Sequence, residues 1–187
     1  MGRWEPDAAG RLREAAMALY AERGYDGTTV AEIADRAGVT ARTFFRHFAD
    51  KREVLFAGSE LLQEQMVAAL AAAPADATPM EAMTTAVLSS AAFFDDIRRD
   101  YSRRRAAVIS STPELLEREL IKMAKLTTAL SQGLLDRGVA PDVAALAAET
   151  GVAVFRVSFE RWIAAADDVP IVDVIQSTLK NLAALTA

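Results

Sequence analysis

At 187 residues, with no cysteine, one histidine and a formal net charge of −5, the chain is long enough to bury a core without covalent staples. The missing cysteine excludes disulfides, thiolate metal sites and cysteine nucleophiles and suits a reducing cytoplasm; neither a metal centre nor a cofactor is expected. Neither a membrane span nor a secretory leader is expected. Ala82 to Phe94, the longest uncharged run, is short and rich in Ser and Thr, and Met1 to Pro6 carries Arg3 and Glu5 and leads into no apolar stretch.

Ala, Leu, Glu and Arg recur with helical spacing and no sustained period-2 run occurs, which predicts an all-α chain of about nine helices. In chain order they fall near 7 to 24, 29 to 36, 40 to 46, 50 to 73, 79 to 95, 97 to 110, 113 to 137, 141 to 166 and 170 to 185. Cap signals set several starts. Thr29-x-x-Glu32 and Asp50-x-x-Glu53 read as capping boxes, while Thr78-Pro79-Met80-Glu81 and Thr112-Pro113-Glu114 add proline at the first helical position. Gly24, Gly38 and Gly138 mark ends. Residues 71 to 78 read as a linker, although an unbroken helix from 50 to 73 would tie a domain of residues 1–50 rigidly to one of residues 51–187.

Residues 28 to 48 read as two short helices about a turn at Gly38. Val30, Ile33, Ala34 and Ala37 face inward from the first, Val39, Phe44 and Phe48 from the second, and Leu12, Ala16 and Leu19 of the preceding helix close the core. The opposite face presents Thr40, Ala41, Arg42 and Thr43 near a helix start, where a major-groove helix meets base edges. Arg42 has the forked donors that fit guanine, and Thr43 can touch a thymine methyl or a phosphate. Thr29, Arg46, His47 and Lys51 are candidates for holding phosphate. Charge distribution agrees: from Arg36 to Arg52 five basic residues stand against Asp50 alone, a local balance of +4, and residues beyond 56 hold the whole negative excess.

Tyr20-Ala-Glu-Arg-Gly-Tyr-Asp-Gly-Thr-Thr-Val-Ala-Glu-Ile-Ala and Gly38-Val-Thr-Ala-Arg-Thr-Phe-Phe-Arg-His-Phe-Ala-Asp-Lys51 resemble the DNA-binding domain of the tetracycline-repressor (TetR) family. The resemblance covers roughly the first third of the chain. It implies a homodimeric repressor of a double-stranded DNA operator, with a helical ligand-binding and dimerisation domain that moves the reading heads out of register when a small effector binds. Phe45 is a departure: the family often has tyrosine there, whose hydroxyl bonds a phosphate, so backbone anchoring falls to Thr29, Arg46, His47 or Lys51.

In the C-terminal part, Leu116, Leu120, Met123, Thr127, Leu130 and Leu134 draw one stripe that is expected to be buried; Met123 and Thr127 either line a cavity or pack the core. Phe93, Phe94, Phe155, Phe159 and Trp162 supply aromatic walls suited to an apolar or amphipathic effector, and serve equally as core. Ile97, Tyr101, Arg105 and Ile109 recur every four residues, placing Arg105 on an apolar face, paired with a carboxylate such as Glu119 or awaiting a ligand anion. Arg98, Arg99, Arg103 and Arg104 read as a solvated face. Ala144, Ala147, Ala148 and Gly151, with Ile171, Val174, Ile175, Leu179 and Leu182, are expected to build a four-helix homodimer interface.

An enzyme is not expected. Asp95 and Asp96 point about 100° apart on a helix, and no nucleophile, metal cluster or phosphate-binding glycine loop accompanies them. A helix-turn-helix dimer with no effector, its C-terminal body serving assembly alone, is the remaining alternative.

Overall fold

The computed structural model describes residues 7–94, 96–166 and 169–186, without the side chains of 96–98 and 186. Asp95 and the side chains of Asp96 and Ile97 therefore lie outside the described residues. Among those described, the chain is helical without strands: α1 (Ala8–Arg23), α2 (Val30–Arg36), α3 (Ala41–His47), α4 (Glu53–Phe56), α5 (Ser59–Ala71), α6 (Pro79–Ser89), α7 (Asp96–Ser111), α8 (Pro113–Asp136), α9 (Pro141–Ala164) and α10 (Ile171–Thr186). Two compact units form. The first holds the described residues up to Ala57 together with Arg104–Glu117, and the second holds Gly58–Arg103 and the described residues from Arg118 onward.

The expected helix from 50 to 73 is two helices. Gly58 adopts φ +86°, a left-handed conformation that side-chain-bearing residues resist, so α4 stops at Phe56 and α5 starts at Ser59. The expected helix to 95 also ends early. The Ser89 and Ser90 hydroxyls donate to the carbonyls of Ala86 and Val87 at 2.7 and 2.6 Å, compete with the helical ladder, and the chain tightens into a 3-10 turn over Ser90–Phe93.

In the first unit Leu12, Ala16, Met17, Leu19 and Tyr20 of α1 bury against Ile33 and Ala34 of α2 and Phe44 of α3, with Phe48 closing the edge. Gly38, at φ +68°, makes the turn between α2 and α3. Two residues pin the far side: the Tyr20 hydroxyl donates to the Lys51 carbonyl at 2.7 Å, and the buried Thr28 hydroxyl donates to the Gly24 carbonyl at 2.9 Å.

The second unit is built around α6. Its Ala82, Met83, Ala86 and Val87 are buried, and α9 approaches so closely that a Cβ added to Gly151 would sit 2.0 Å from Met83 Cε. Leu126, Leu130 and Leu134 of α8 and Leu62, Met66 and Leu70 of α5 complete this core with Trp162, Ile171 and Ile175. The long stripe expected on α8 is only half buried: Leu116 and Leu120 are exposed, the latter by 62 %. A helix of this length runs about 36 Å, further than one compact core reaches. At its end Arg137 donates to the carbonyls of Leu70, Ala71, Ala73 and Pro74 at 2.6 to 3.4 Å, covering the C-terminus of α5.

Candidate nucleic-acid interface and buried donor cluster

The start of α3 is held by its own side chains. Thr40 is the N-cap, its hydroxyl accepting the Thr43 amide at 3.2 Å, and the two threonine hydroxyls share a hydrogen bond of 3.1 Å. Phe44 and Phe48 anchor the helix beneath, which leaves Thr40, Ala41, Arg42, Phe45, Arg46 and His47 exposed on the outer side. Among the described residues nothing engages the Arg42 guanidinium. Arg46 lies beside the His47 ring, Nη2 to Nε2 3.5 Å. Phe45 is 58 % exposed, its ring set edge-on against Phe44.

Around this face most other cations are already committed. Arg36 binds Glu22 through both terminal nitrogens at 2.7 Å, a bidentate pair that lowers the Glu22 pKa through the Arg36 hydrogen bonds. Arg52 pairs with Asp50 at 2.7 Å and with Glu114 at 3.1 Å. The Lys51 ammonium donates to the carbonyls of Tyr25 and Thr28 at 2.8 and 3.0 Å and lies 4.2 Å from the centre of the Tyr25 ring. Burial first, then the nearby Glu114 and Asp50 carboxylates, drives the Tyr25 hydroxyl pKa upward. The local excess of +4 read along the chain is therefore mostly spent inside the unit, and Arg42 and Arg46 are the arginines it presents outward.

Thr29 caps α2 in a closed box. Its hydroxyl accepts the Glu32 amide at 3.3 Å and donates to the Glu32 carboxylate at 2.8 Å, while its own amide reaches that carboxylate at 2.9 Å. The Thr29 amide and then its hydroxyl hold the Glu32 pKa below the ordinary value.

In the second unit an aromatic cluster gathers on α9. The Phe94 ring lies 5.3 Å from Phe159, 5.8 Å from Trp162 and 6.1 Å from Phe155. Over Trp162, at 5.3 Å, sits the guanidinium of Arg99, which is 5 % exposed and donates to the Val169 carbonyl. The Ser158 hydroxyl and the Trp162 indole nitrogen are buried with no hydrogen-bond partner among the described residues.

Residues 12–57 match the family model for bacterial regulatory proteins of the tetR family, and residues 77–187, more than half of the chain, match that for the MftR C-terminal domain. The chain belongs to the TetR family. TcmR of Streptomyces glaucescens, an HTH-type transcriptional regulator, is 44% identical over 75 residues, 40% of this chain and 33% of TcmR. KstR2 of Mycobacterium tuberculosis, an HTH-type transcriptional repressor, is 48% identical over 46 residues, 25% of this chain and 23% of KstR2. The chain thus spans a third or less of these curated relatives. FadR of Bacillus subtilis, solved with stearoyl-CoA, shares the fold at a TM-score of 0.55 and 19% identity over 92% of this chain and 96% of that one.

Within this TetR-family chain the expected contact residues Thr29, Thr40, Arg42, Thr43, Phe45, Arg46, His47 and Lys51 all fall in the first unit, but Lys51 is turned onto backbone carbonyls. The expected effector residues separate. Phe155, Phe159 and Trp162 share the aromatic cluster, and Phe93 and Met123 pack partly buried against the core of the same unit. Thr127 instead lines an open groove of about 320 Å³ with Thr128, Ser131, Gln132 and Leu135 of α8 and Ala145 and Glu149 of α9. Tyr101 is half-buried on α7.

Arg105 belongs to the first unit, where it donates to the Leu55 carbonyl and lies over the Phe56 ring, and Glu119 binds Lys122 at 2.6 Å. Two sequence expectations change. The buried arginine of α7 is Arg99, read along the sequence as solvated: the buried phase of the helix is Arg99, Ser102 and Ile109. Ala144, Ala147, Ala148 and Gly151 admit α6 within the monomer, and Ile171, Val174 and Ile175 are core, so that face of α9 is already occupied. Ser158, which sequence reading passed over, carried a signal: it lies between Phe155 and Trp162 on one helical stripe, a polar residue among apolar ones.

Proposed function

We propose that this chain is a sequence-specific transcriptional repressor that sets α3 in the major groove of an operator and leaves when a small apolar or amphipathic effector occupies the second unit. The observation that carries the reading is the presentation of α3: packed from beneath by Phe44 and Phe48, capped by Thr40, and offering an unengaged Arg42 at its first turn. In that geometry Arg42 and Thr43 read base edges and Arg46 and His47 hold phosphate. Thr29 and Lys51 act chiefly as braces, because their polar atoms close the α2 cap and the Tyr25–Thr28 turn. Thr29, exposed at the N-cap, retains a hydroxyl within reach of a passing phosphate.

Two heads are needed to read a palindrome in successive grooves, so we place the chain as a homodimer. Because Ala144 and Gly151 are used within the monomer, we assign the interface to the outer side of α9. There Leu146, 70 % exposed, Thr150, Ala153 and Val157 recur at four, three and four residues. Leu146→Glu should convert the dimer to monomer in light scattering at micromolar concentration and weaken operator binding with it; a wild-type monomer removes the assignment.

An effector releases DNA only by favouring the conformation that binds it badly, since equal affinity for both conformations shifts nothing. A DNA partner supports a cytoplasmic location, and among the described residues no helix is long and apolar enough to cross a membrane.

The test is duplex selection from a random pool, followed by Arg42→Ala. The variant should lose about tenfold or more on the selected duplex, the scale of one bidentate arginine–guanine contact, and much less on random duplex. Equal loss on both rejects base reading by Arg42.

A further inference from the structure

Glu149 and Arg156 stand about two turns apart on α9 and so share one flank of it. That flank borders the outward stripe of Leu146, Thr150, Ala153 and Val157. On its other side lies the open groove of about 320 Å³ between α8 and α9, whose α9 wall is Ala145 and Glu149.

The groove is chemically one-sided. Thr127, Thr128 and Ser131 bring hydroxyls, and Gln132 spends its amide nitrogen on Asp136 at 2.8 Å, which keeps its carbonyl as an acceptor. Glu149 adds a carboxylate that no cation meets among the described residues. The complement of such a wall is a group with positive charge and several donors, and a guanidinium supplies both. Arg156 is the nearest in kind. Within its own chain it reaches Glu160, one turn on, at 3.3 Å, with both side chains more than half exposed. A pair of that sort contributes little and does not fix the guanidinium in place.

A two-fold axis determines where a second Arg156 arrives. The centre of the stripe lies between Thr150 and Ala153, so two antiparallel copies of α9 set Leu146 on Val157 of the other copy and Thr150 on Ala153. Thr150 can enter such a contact because its hydroxyl already donates to the Leu146 carbonyl at 2.8 Å. In this arrangement the same flank of each helix lies on the same side of the pair. Arg156 of one copy comes level with Ala147 of the other, about 3 Å along the axis from Glu149. One acid and one base on a shared flank therefore meet twice, the self-complementarity of an isologous interface.

We propose that Arg156 of a second copy enters the groove between α8 and α9 and pairs with Glu149, twice per dimer, and that these pairs set the register of the two copies. The inference rests on reading the chain as a homodimer through the outer side of α9. It makes Glu149 and Arg156 the residues that select a second copy of this chain over another apolar helix.

Sedimentation equilibrium of the full-length protein reads the dimer dissociation constant. E149R sets arginine against arginine at both contacts and R156E sets glutamate against glutamate, so each should weaken the dimer about tenfold or more. The double variant E149R/R156E should return to within a few-fold of wild type. Mixing the two single variants is the sharper measurement: their heterodimer regains both Arg–Glu contacts and should be about tenfold or more tighter than either variant with itself. A repair that needs two different chains cannot arise inside one. E64R, the same charge change on the exposed side of α5, is the control and should rescue R156E far less. If a reversed chain does not fold, Glu149→Gln and Arg156→Gln take its place, and each should weaken the dimer a few-fold and flatten its dependence on sodium chloride.

A wild-type dimer that neither reversal weakens overturns the pairing and keeps the outer face of α9 as the interface. So does a mixture of E149R and R156E no tighter than the mixture with E64R. A wild-type monomer overturns the homodimer itself, and the pairing with it.

Discussion

At the helix starts of the first unit polar groups meet partners a few residues away: Thr29 with Glu32, Thr40 with Thr43, Asp50 with Arg52. In the interior of the second unit the bonds run further, Arg99 to Val169, Arg161 to Thr178 at 2.8 Å and Gln65 to the Ser89 carbonyl at 2.7 Å, and the Ser158 hydroxyl and Trp162 indole nitrogen have no hydrogen-bond partner among the described residues. Local satisfaction keeps the short helices α2 and α3 in shape and presents Arg42 without first breaking another bond.

The sharpest way to break this contrast is to overfill the body. Gly151→Leu adds a branched side chain where a Cβ alone would meet Met83, and overpacking of this kind costs about 1–3 kcal/mol. Thermal unfolding should show the loss, and a variant as stable as wild type would mean that α6 and α9 yield easily. For the head, removing a cap should matter more than changing a surface residue: Thr29→Ala should cost about 1 kcal/mol in denaturant unfolding, because two donors and a carboxylate lose their closed arrangement.

Acid probes the same network. Glu22 and Glu32 protonate at lower pH in the folded chain than in the unfolded one, Glu22 because of Arg36 and Glu32 because of the Thr29 amide and hydroxyl. Their contribution is complete above the ordinary carboxylate value of 4.5 and is lost as pH falls through the lowered folded values. Unfolding midpoints should therefore decline on acidification below that value, and the decline should be shallower in Thr29→Ala. An unchanged slope would show that the box contributes nothing to it. The smallest effect belongs to Phe45→Tyr, which places a hydroxyl on an exposed ring of α3 and should tighten selected and random duplex alike by a few-fold in electrophoretic shift assays. A gain confined to the selected duplex would make position 45 a base reader.

The same contrast explains what could be read from the amino-acid order. The α2 and α3 caps, the turn at Gly38 and the buried Ile33, Ala34, Phe44 and Phe48 follow from short-range rules, because their partners lie within a few residues. Lys51 misled for the opposite reason: its charge is visible in the sequence, but the Tyr25 and Thr28 carbonyls that absorb it lie more than twenty residues away. On α7 Ile109 is buried as the four-residue spacing requires, but Arg99 is buried as well, and an arginine-rich helix hides which of its cations turns inward because every face carries one. The alanines of α9 announced close packing correctly, but small residues cannot say whether the neighbour is α6 or a second copy. The break at Gly58 rests on its φ of +86°, a conformation that apolar spacing along the chain does not encode.

Arg137 carries a consequence for how the second unit assembles. Four carbonyls at the end of α5 rely on a guanidinium that arrives more than sixty residues later in the chain. During synthesis α5 emerges with that end bare and open to water, and it cannot be finished until α8 has been made and docked. Its last turn is thus a record of completion: amide hydrogens there should stay exchangeable in any partly folded species and become protected only together with those at the end of α8.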